Sequence, residues 1–373
     1  MRCRVPEYIL NISPYVPGKP IEELEREYGI SGSIKLASNE NPLGASPRAL
    51  EAIRAAAATL NRYPDGAAYE LVSAIASALG VPKSWIVPGN GSDDIIALLA
   101  KALLRAGDEA VLPEPSFLMY EICVRAVGAR PISVPLRNMV IDLERMAAAV
   151  TPKTGLVFIC NPNNPTGTVV HRSDFSSFLE SLPDHVIVVI DEAYIEFARD
   201  PHCLKGIEFV EPSRPVVVLR TFSKLFGLAG LRVGYGVMPP DIAQLLHRIR
   251  QPFNVNTLAQ AAASAALSDT GFVEKTLSLV HSGLDGLYEA LDRMGIRYVP
   301  TQSNFFLIDV EQDADAVFEA MLRQGVIVRS MSAYGFPRHI RVNVGLPDEN
   351  DRFIAALCNA CGKADASVHP GRS

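Results

Sequence analysis

The sequence predicts an α/β protein with a large, mainly parallel sheet flanked by helices, followed by a smaller α+β unit. Three observations carry this. Between about residues 70 and 240, helical stretches such as YELVSAIASALG and SDDIIALLAKALLRAG alternate with the short apolar runs EAVLP, GLVFIC, VIVVI and PVVVLR. Alternation of that kind builds a parallel sheet covered by helices. Beyond about residue 300 the rhythm changes to IRYVP, NFFLIDV, DADAVFEAMLRQG, VIVRSM and HIRVNVG, closing on a helical DENDRFIAALCNACG. Finally, three of the apolar runs end on polar side chains suited to one crevice.

Residues 1–35 read as an N-terminal arm, with a Pro/Gly-rich extended start and one short charged helix in IEELEREYGI. The alanine-rich AIRAAAATL and TLAQAAASAAL are expected to be helices, because alanine is the best helix former. Runs of four to six β-branched residues bounded by Pro, Asn and Asp favour strand over buried helix. The long helices DIAQLLHRIR and FVEKTLSLVHSGLDGLYEALDRMG lead into the last third of the chain. A domain boundary is placed near QPFNVN, giving a large domain over 36–250 and a small one over 251–373.

A 48% hydrophobic and 20% charged composition is that of a folded globular chain and excludes disorder and collagen-like repeats. With 35 Lys+Arg against 41 Asp+Glu, the net charge of −6 argues against nucleic acid or an anionic membrane as the main partner. Cys3, Cys123, Cys160, Cys203, Cys358 and Cys361 are scattered, so reduced thiols are expected rather than a disulfide framework. MRCRVPEYIL has no apolar stretch ahead of Pro6, and IIALLAKALL is interrupted by Lys101. Neither a signal peptide nor a membrane span is therefore expected, and the chain is placed in the cytoplasm.

In open parallel sheets ligands bind beyond the carboxyl ends of the strands. GLVFIC is followed by Asn161 in NPNNPTG, VIVVI by Asp191, Glu192, Ala193 and Tyr194, and VVVLR by Thr221, Phe222, Ser223 and Lys224, with Arg232 eight residues on. One such end is an ordinary turn or cap. An amide, a carboxylate and an amine at successive ends form a constellation. Upstream, PGNGSDD precedes an apolar helix. Gly89 and Gly91 allow a tight turn, while Ser92 and Asp93 suit an N-cap that leaves N–H groups free for an anion.

A phosphate cradle, an amine and a carboxylate are what pyridoxal phosphate requires. The amine forms a Schiff base with its aldehyde, and the carboxylate keeps the ring nitrogen protonated so that the ring accepts electrons. Tyr194 and Asn161 are suited to the ring hydroxyl and Phe117 to the ring face. Thr221, Ser223 and Arg232 are suited to the phosphate. Lys224, once displaced by substrate, can move the substrate proton. No P-loop or zinc-protease signature occurs, and no metal site is expected; Cys358 and Cys361 lack a second ligand pair.

GNGSDD, PSFLMY, NPNNPTG, DEAYIEF, RTFSKLFGLAGLRVGY and IRVNVG together closely resemble the fold-type I pyridoxal-phosphate aminotransferases. SPYVPGKPIEEL, KLASNENPLG and NRYPDG resemble the histidinol-phosphate aminotransferase branch, and the likeness runs from about residue 8 to 355. The resemblance implies Lys224 as the Schiff-base lysine and Asp191 as the ring-nitrogen partner. It implies Asn161 and Tyr194 at the ring hydroxyl, and Gly91, Ser92, Asp93, Thr221, Ser223 and Arg232 around the phosphate. Tyr63 would reach the phosphate of a neighbouring subunit, which implies a homodimer. Arg341, Arg329 and Tyr15 would bind the substrate's anionic group, with the N-terminal arm packed on the small domain and the substrate site. Phe117 stands where many relatives carry Tyr, preserving stacking without a hydroxyl.

The implied activity is transamination of L-histidinol phosphate with 2-oxoglutarate, in histidine biosynthesis. An aromatic amino-acid aminotransferase and a lyase decarboxylating a phosphorylated amino acid such as threonine phosphate remain as alternatives. Two arginines suit either a phosphate or carboxylates, because their planar forks donate in pairs.

Overall fold

The computed structural model describes residues 4–15 and 18–363. Cys3 lies outside the described residues; the other five cysteines are free thiols. β1 (Ile34–Lys35) stands apart from the main sheet. That sheet comprises β2 (Ile86–Gly89), β3 (Glu109–Glu114), β4 (Arg130–Pro135), β5 (Thr154–Cys160), β6 (Ile187–Asp191), β7 (Val216–Thr221) and β8 (Gly234–Val237). Its seven strands run in the order β2-β8-β7-β6-β5-β3-β4. All are parallel except β8, which pairs antiparallel with both β2 and β7. The small unit holds β9 (Arg297–Val299), β10 (Phe305–Asp309), β11 (Val326–Ile327), β12 (Arg329–Ser330) and β13 (His339–Asn343).

The helices are α1 (Glu7–Leu10), α2 (Ile21–Tyr28), α3 (Pro47–Ala56), α4 (Tyr69–Leu79), α5 (Ser92–Leu103), α6 (Met119–Ala126) and α7 (Leu143–Ala148). They continue as α8 (Arg172–Ser181), α9 (Pro240–Ile249), α10 (Thr257–Leu267), α11 (Thr270–Met294), α12 (Ala314–Leu322) and α13 (Pro347–Cys361). Along the central strands successive side chains serve opposite faces. Val188 and Ile190 join the core with α4, α8 and α10, whereas Val189 joins that with α5, α6 and α9. A sheet buried on both faces needs continuous apolar strands, which explains the unbroken VIVVI and VVVLR runs.

The expected boundary near residue 250 shifts. α10, capped by the Asn256 side chain on the Ala259 N–H at 2.8 Å, buries Ala259, Ala262, Ala263 and Ala266 in the core that contains α3 and α4. Packing therefore carries the large unit through Leu267, and α11 begins the small one. The arm divides as well. Tyr8 of α1 packs against Gly128 at the end of α6, in the large unit, while Leu24 of α2 packs with Leu322 and Ile327 in the small one. β1 pairs in parallel with β11, so the chain enters the small unit before it builds the large one.

Candidate active site

Four strands terminate together. Gly89, Cys160, Asp191 and Thr221 are the last residues of β2, β5, β6 and β7. Because β8 runs the other way, its first residue, Gly234, pairs with both Gly89 and Thr221. Arg232, two residues earlier, is thus delivered to the same edge. Beyond this edge lies a cavity of about 260 Å³ lined by Lys224, Asp191, Tyr194, Ser92, Asp93, Phe117, Thr221, Ser223, Arg232, Arg329, Arg341 and Tyr15, among others. One cavity therefore collects most of the residues singled out in the sequence.

Among the described residues Lys224 is the only lysine lining this cavity; its Nζ donates to the Ser38 carbonyl at 3.1 Å and sits 5.5 Å from the Tyr194 ring centre. Burial, followed by the nearby Arg341 guanidinium, brings its amine down to about 8. Asp191 is 3% exposed and accepts from the Tyr120 hydroxyl at 2.7 Å and from the Ala193 N–H at 3.1 Å. Burial pushes its carboxyl up to about 6 against the lowering effect of Tyr120. A cationic ring nitrogen would restore its charge.

The anion cradle is backbone-built. Gly91, rather than Ser92 or Asp93, is the N-cap of α5, with φ of 84° and no side-chain cap, so the expected capping role of Ser92 and Asp93 is corrected. A Cβ on Gly91 would lie 2.6 Å from the Arg232 guanidinium, and one on Gly234 would lie 2.6 Å from the Ser92 nitrogen. Only glycine lets the helix start, the strand and Arg232 converge this closely. Exposed helix N–H groups beside Arg232 fit a phosphate. With Lys224 and Asp191 in the same cavity, these residues fit pyridoxal phosphate.

Arg341 is 7% exposed; Nη1 donates to Asn164 Oδ1 at 2.6 Å and Nη2 to the Ala37 carbonyl at 2.8 Å. Its guanidinium carbon lies 5.2 Å from the Phe305 ring centre. Arg329 and Arg341 are register partners across β12 and β13. Directly opposed like charges destabilise a strand pair, so the pairing favours an anion between or beside them. Tyr334, from the turn after β12, lies next to both arginines.

One cofactor assignment changes. Asn161 does not reach the cavity. Its Oδ1 accepts from the Val170 N–H at 2.7 Å and its Nδ2 donates to the Leu204 carbonyl at 3.0 Å, so it serves as an internal staple. Asn164, three residues on, lines the cavity instead. Tyr63 is 83% exposed, stacked on Phe253 at 4.7 Å, and is not part of the cavity of its own chain. Tyr120, three residues after Phe117 and in the first turn of α6, is a site residue that the sequence reading does not single out. Asn39 in KLASNENPLG was missed too.

An amine, a buried carboxylate and an anion cradle at the strand ends of this fold are the parts of a pyridoxal-phosphate site. Residues 31–357 match the family described as aminotransferase class I and II, and the chain belongs to it. The histidinol-phosphate aminotransferase of Moorella thermoacetica is 48% identical over 357 residues, covering 95% of this chain and 92% of that protein. Histidinol-phosphate aminotransferase 1 of Cupriavidus pinatubonensis is 50% identical, covering 94% and 95%. The crystal structure of the Sinorhizobium meliloti histidinol-phosphate aminotransferase in complex with pyridoxal-5'-phosphate superposes with a TM-score of 0.89 at 29% identity, covering 97% of this chain and 98% of that one. Within its class this chain is a member of the histidinol-phosphate aminotransferases.

Proposed function

We propose that this protein transfers the amino group of L-histidinol phosphate to 2-oxoglutarate, giving imidazole-acetol phosphate and L-glutamate in histidine biosynthesis, with pyridoxal phosphate as cofactor. The carrying observation is the Arg329–Arg341 cross-strand pair facing Lys224 in one cavity, in a chain 48% identical over 95% of its length to a histidinol-phosphate aminotransferase. Histidinol phosphate has no α-carboxylate, so its phosphate is what these arginines grip, and the two carboxylates of glutamate use them in the other half-reaction.

Bound pyridoxal phosphate supplies an electron sink for the carbanion formed at the reacting carbon. Lys224 would hold its aldehyde, Asp191 its ring nitrogen, Tyr194 and Asn164 its ring hydroxyl, and Phe117 its ring face. The N–H groups of Ser92 and Asp93, with Thr221, Ser223 and Arg232, would hold the phosphate. The Lys224 amine would move the proton at the substrate's reacting carbon. Burial around Lys224 keeps part of its population neutral near pH 8, the form that accepts a proton. Arg341 exchanges Asn164 and Ala37 for the substrate anion, and Tyr15, Tyr334 and the arm narrow access for water.

Arg329→Ala tests the substrate assignment. Losing a charge-assisted phosphate contact is expected to lower kcat/KM for histidinol phosphate by roughly 10–100-fold, while leaving turnover of phenylalanine within a few-fold. Equal losses with both substrates would contradict a phosphate role.

A homodimer in the cytoplasm completes the reading. Tyr63 and Phe253 stack while exposed, and Leu60 and Tyr69 of the α3–α4 segment are exposed as well, apolar surface of the kind that seeks a partner. Among the described residues no helix is long and apolar enough to cross a membrane. Sedimentation should give twice the chain mass, and Tyr63→Ala should weaken cofactor binding in the dimer. A monomer that binds cofactor tightly would contradict this arrangement.

A further inference from the structure

Residues 37–39, between β1 and α3, cross from the small unit to the large one and touch three members of the site in succession. The Ala37 carbonyl accepts from Arg341 at 2.8 Å, the Ser38 carbonyl from Lys224 at 3.1 Å, and Asn39 Nδ2 donates to the Tyr194 hydroxyl at 3.0 Å. Asn39 has little freedom to do otherwise. Its N–H donates to Asn343 Oδ1 at 3.0 Å, and its carbonyl accepts from Asn304 Nδ2 at 3.1 Å. Asn343 lies two residues beyond Arg341 on β13, so both project from one face of the strand.

Asn39 also carries two local costs. Its φ is 56°, in the left-handed region, and its Oδ1 is buried without a partner. If the position only had to turn the chain, glycine would do so without strain. A side chain retained against both costs points to work done by its carboxamide.

We propose that Asn39 is a positioning residue that sets the Tyr194 hydroxyl as a hydrogen-bond donor into the cavity. A phenol has one proton; when its oxygen accepts the Asn39 N–H, that proton is left for another acceptor. The accepted bond also polarises the O–H and strengthens its donation. Burial pushes the Tyr194 hydroxyl up, so it stays protonated throughout the working range. The proposal rests on the reading that Tyr194 meets the cofactor's ring hydroxyl. It adds that Asn343 and Asn304 of the small unit hold that donor in aim, through Asn39.

The experiment is a pH titration of the absorbance of cofactor-loaded protein, in the wild type and in Asn39→Gly, Asn39→Asp and Tyr194→Phe. Glycine suits the backbone at 39, so Asn39→Gly removes only the carboxamide. A donor to the ring oxygen favours its deprotonated form, so Tyr194→Phe should raise the titration midpoint. Asn39→Gly should raise it in the same direction by roughly 0.5–1 pH unit, with no further rise when both changes are combined. Asn39→Asp offers only acceptors when ionised, draws the Tyr194 proton to itself, and should match Tyr194→Phe. An unmoved midpoint in Asn39→Gly, or a wild-type midpoint in Asn39→Asp, overturns the proposal while Tyr194→Phe still supports the ring-hydroxyl reading. An unmoved midpoint in Tyr194→Phe overturns both.

Discussion

Lys224→Ala should abolish transamination, with a fall in kcat of at least roughly 10²–10⁴-fold, the usual worth of a positioned proton-transfer group. Among the described residues no other lysine lines the cavity, and the carboxylates that do are Glu40, Asp93 and Asp191. Asp191 is engaged by Tyr120, and Asp93 pairs with Arg232 at 3.5 Å. No second amine is therefore in place to substitute. The wild-type amine, brought down to about 8 by burial and Arg341, also sets a pH dependence. Only neutral amine attacks an aldehyde, so capture of pyridoxal phosphate by cofactor-free protein should quicken as pH rises through about 8 and then level. Stopped-flow absorbance would follow this. Lys224→Ala should show no such step, and normal turnover by that variant would remove the core of the mechanism.

Asp191→Asn should lower kcat by roughly 10²–10³-fold, the scale for removing one preorganised electrostatic partner, while stabilising the cofactor-free protein. The two effects share a cause. Burial raises this carboxyl to about 6, above its ordinary value, so the folded cofactor-free chain favours the protonated form. The linked stability is fully present below the unfolded pKa and is lost as pH rises through about 6. Neutral asparagine escapes that loss, so at pH 7 the cofactor-free variant should melt at a higher temperature than wild type. Cofactor affinity should run the other way. It should weaken in the wild type as pH falls through about 6, where Asp191 loses the charge that holds a cationic ring nitrogen, and stay flatter in the variant. Full activity in Asp191→Asn, with unchanged pH dependence of binding, would contradict the assignment.

The parts of the site legible in the sequence are those fixed by strand ends. VIVVI and VVVLR are long enough and apolar enough to locate β6 and β7. The residues directly after those runs had to emerge at the ligand edge, which found Asp191, Thr221 and Lys224. NPNNPTG resisted the same logic. Three asparagines stand in four residues there, and which side chain turns outward depends on the path of the turn after Cys160. The first asparagine became a staple for Val170 and Leu204, and Asn164 faced the cavity. The alanines of α10 give no strongly one-sided pattern, so the sequence does not show that their small size lets α3 and α4 approach, which is a tertiary fact. Asn39 and Tyr120 act by bonding to other site residues across long sequence separations, and those partnerships exist only after folding.

The protein's activity depends on one lysine-based cavity taking histidinol phosphate as its amino donor. The decisive test is the absorbance of cofactor-loaded protein mixed with one equivalent of histidinol phosphate, beside a matched sample given phenylalanine. Rapid bleaching to the pyridoxamine phosphate form is expected with histidinol phosphate, and little change with phenylalanine over the same time. Bleaching by phenylalanine as fast or faster would contradict the substrate assignment, and a protein that takes up no cofactor would contradict the site itself.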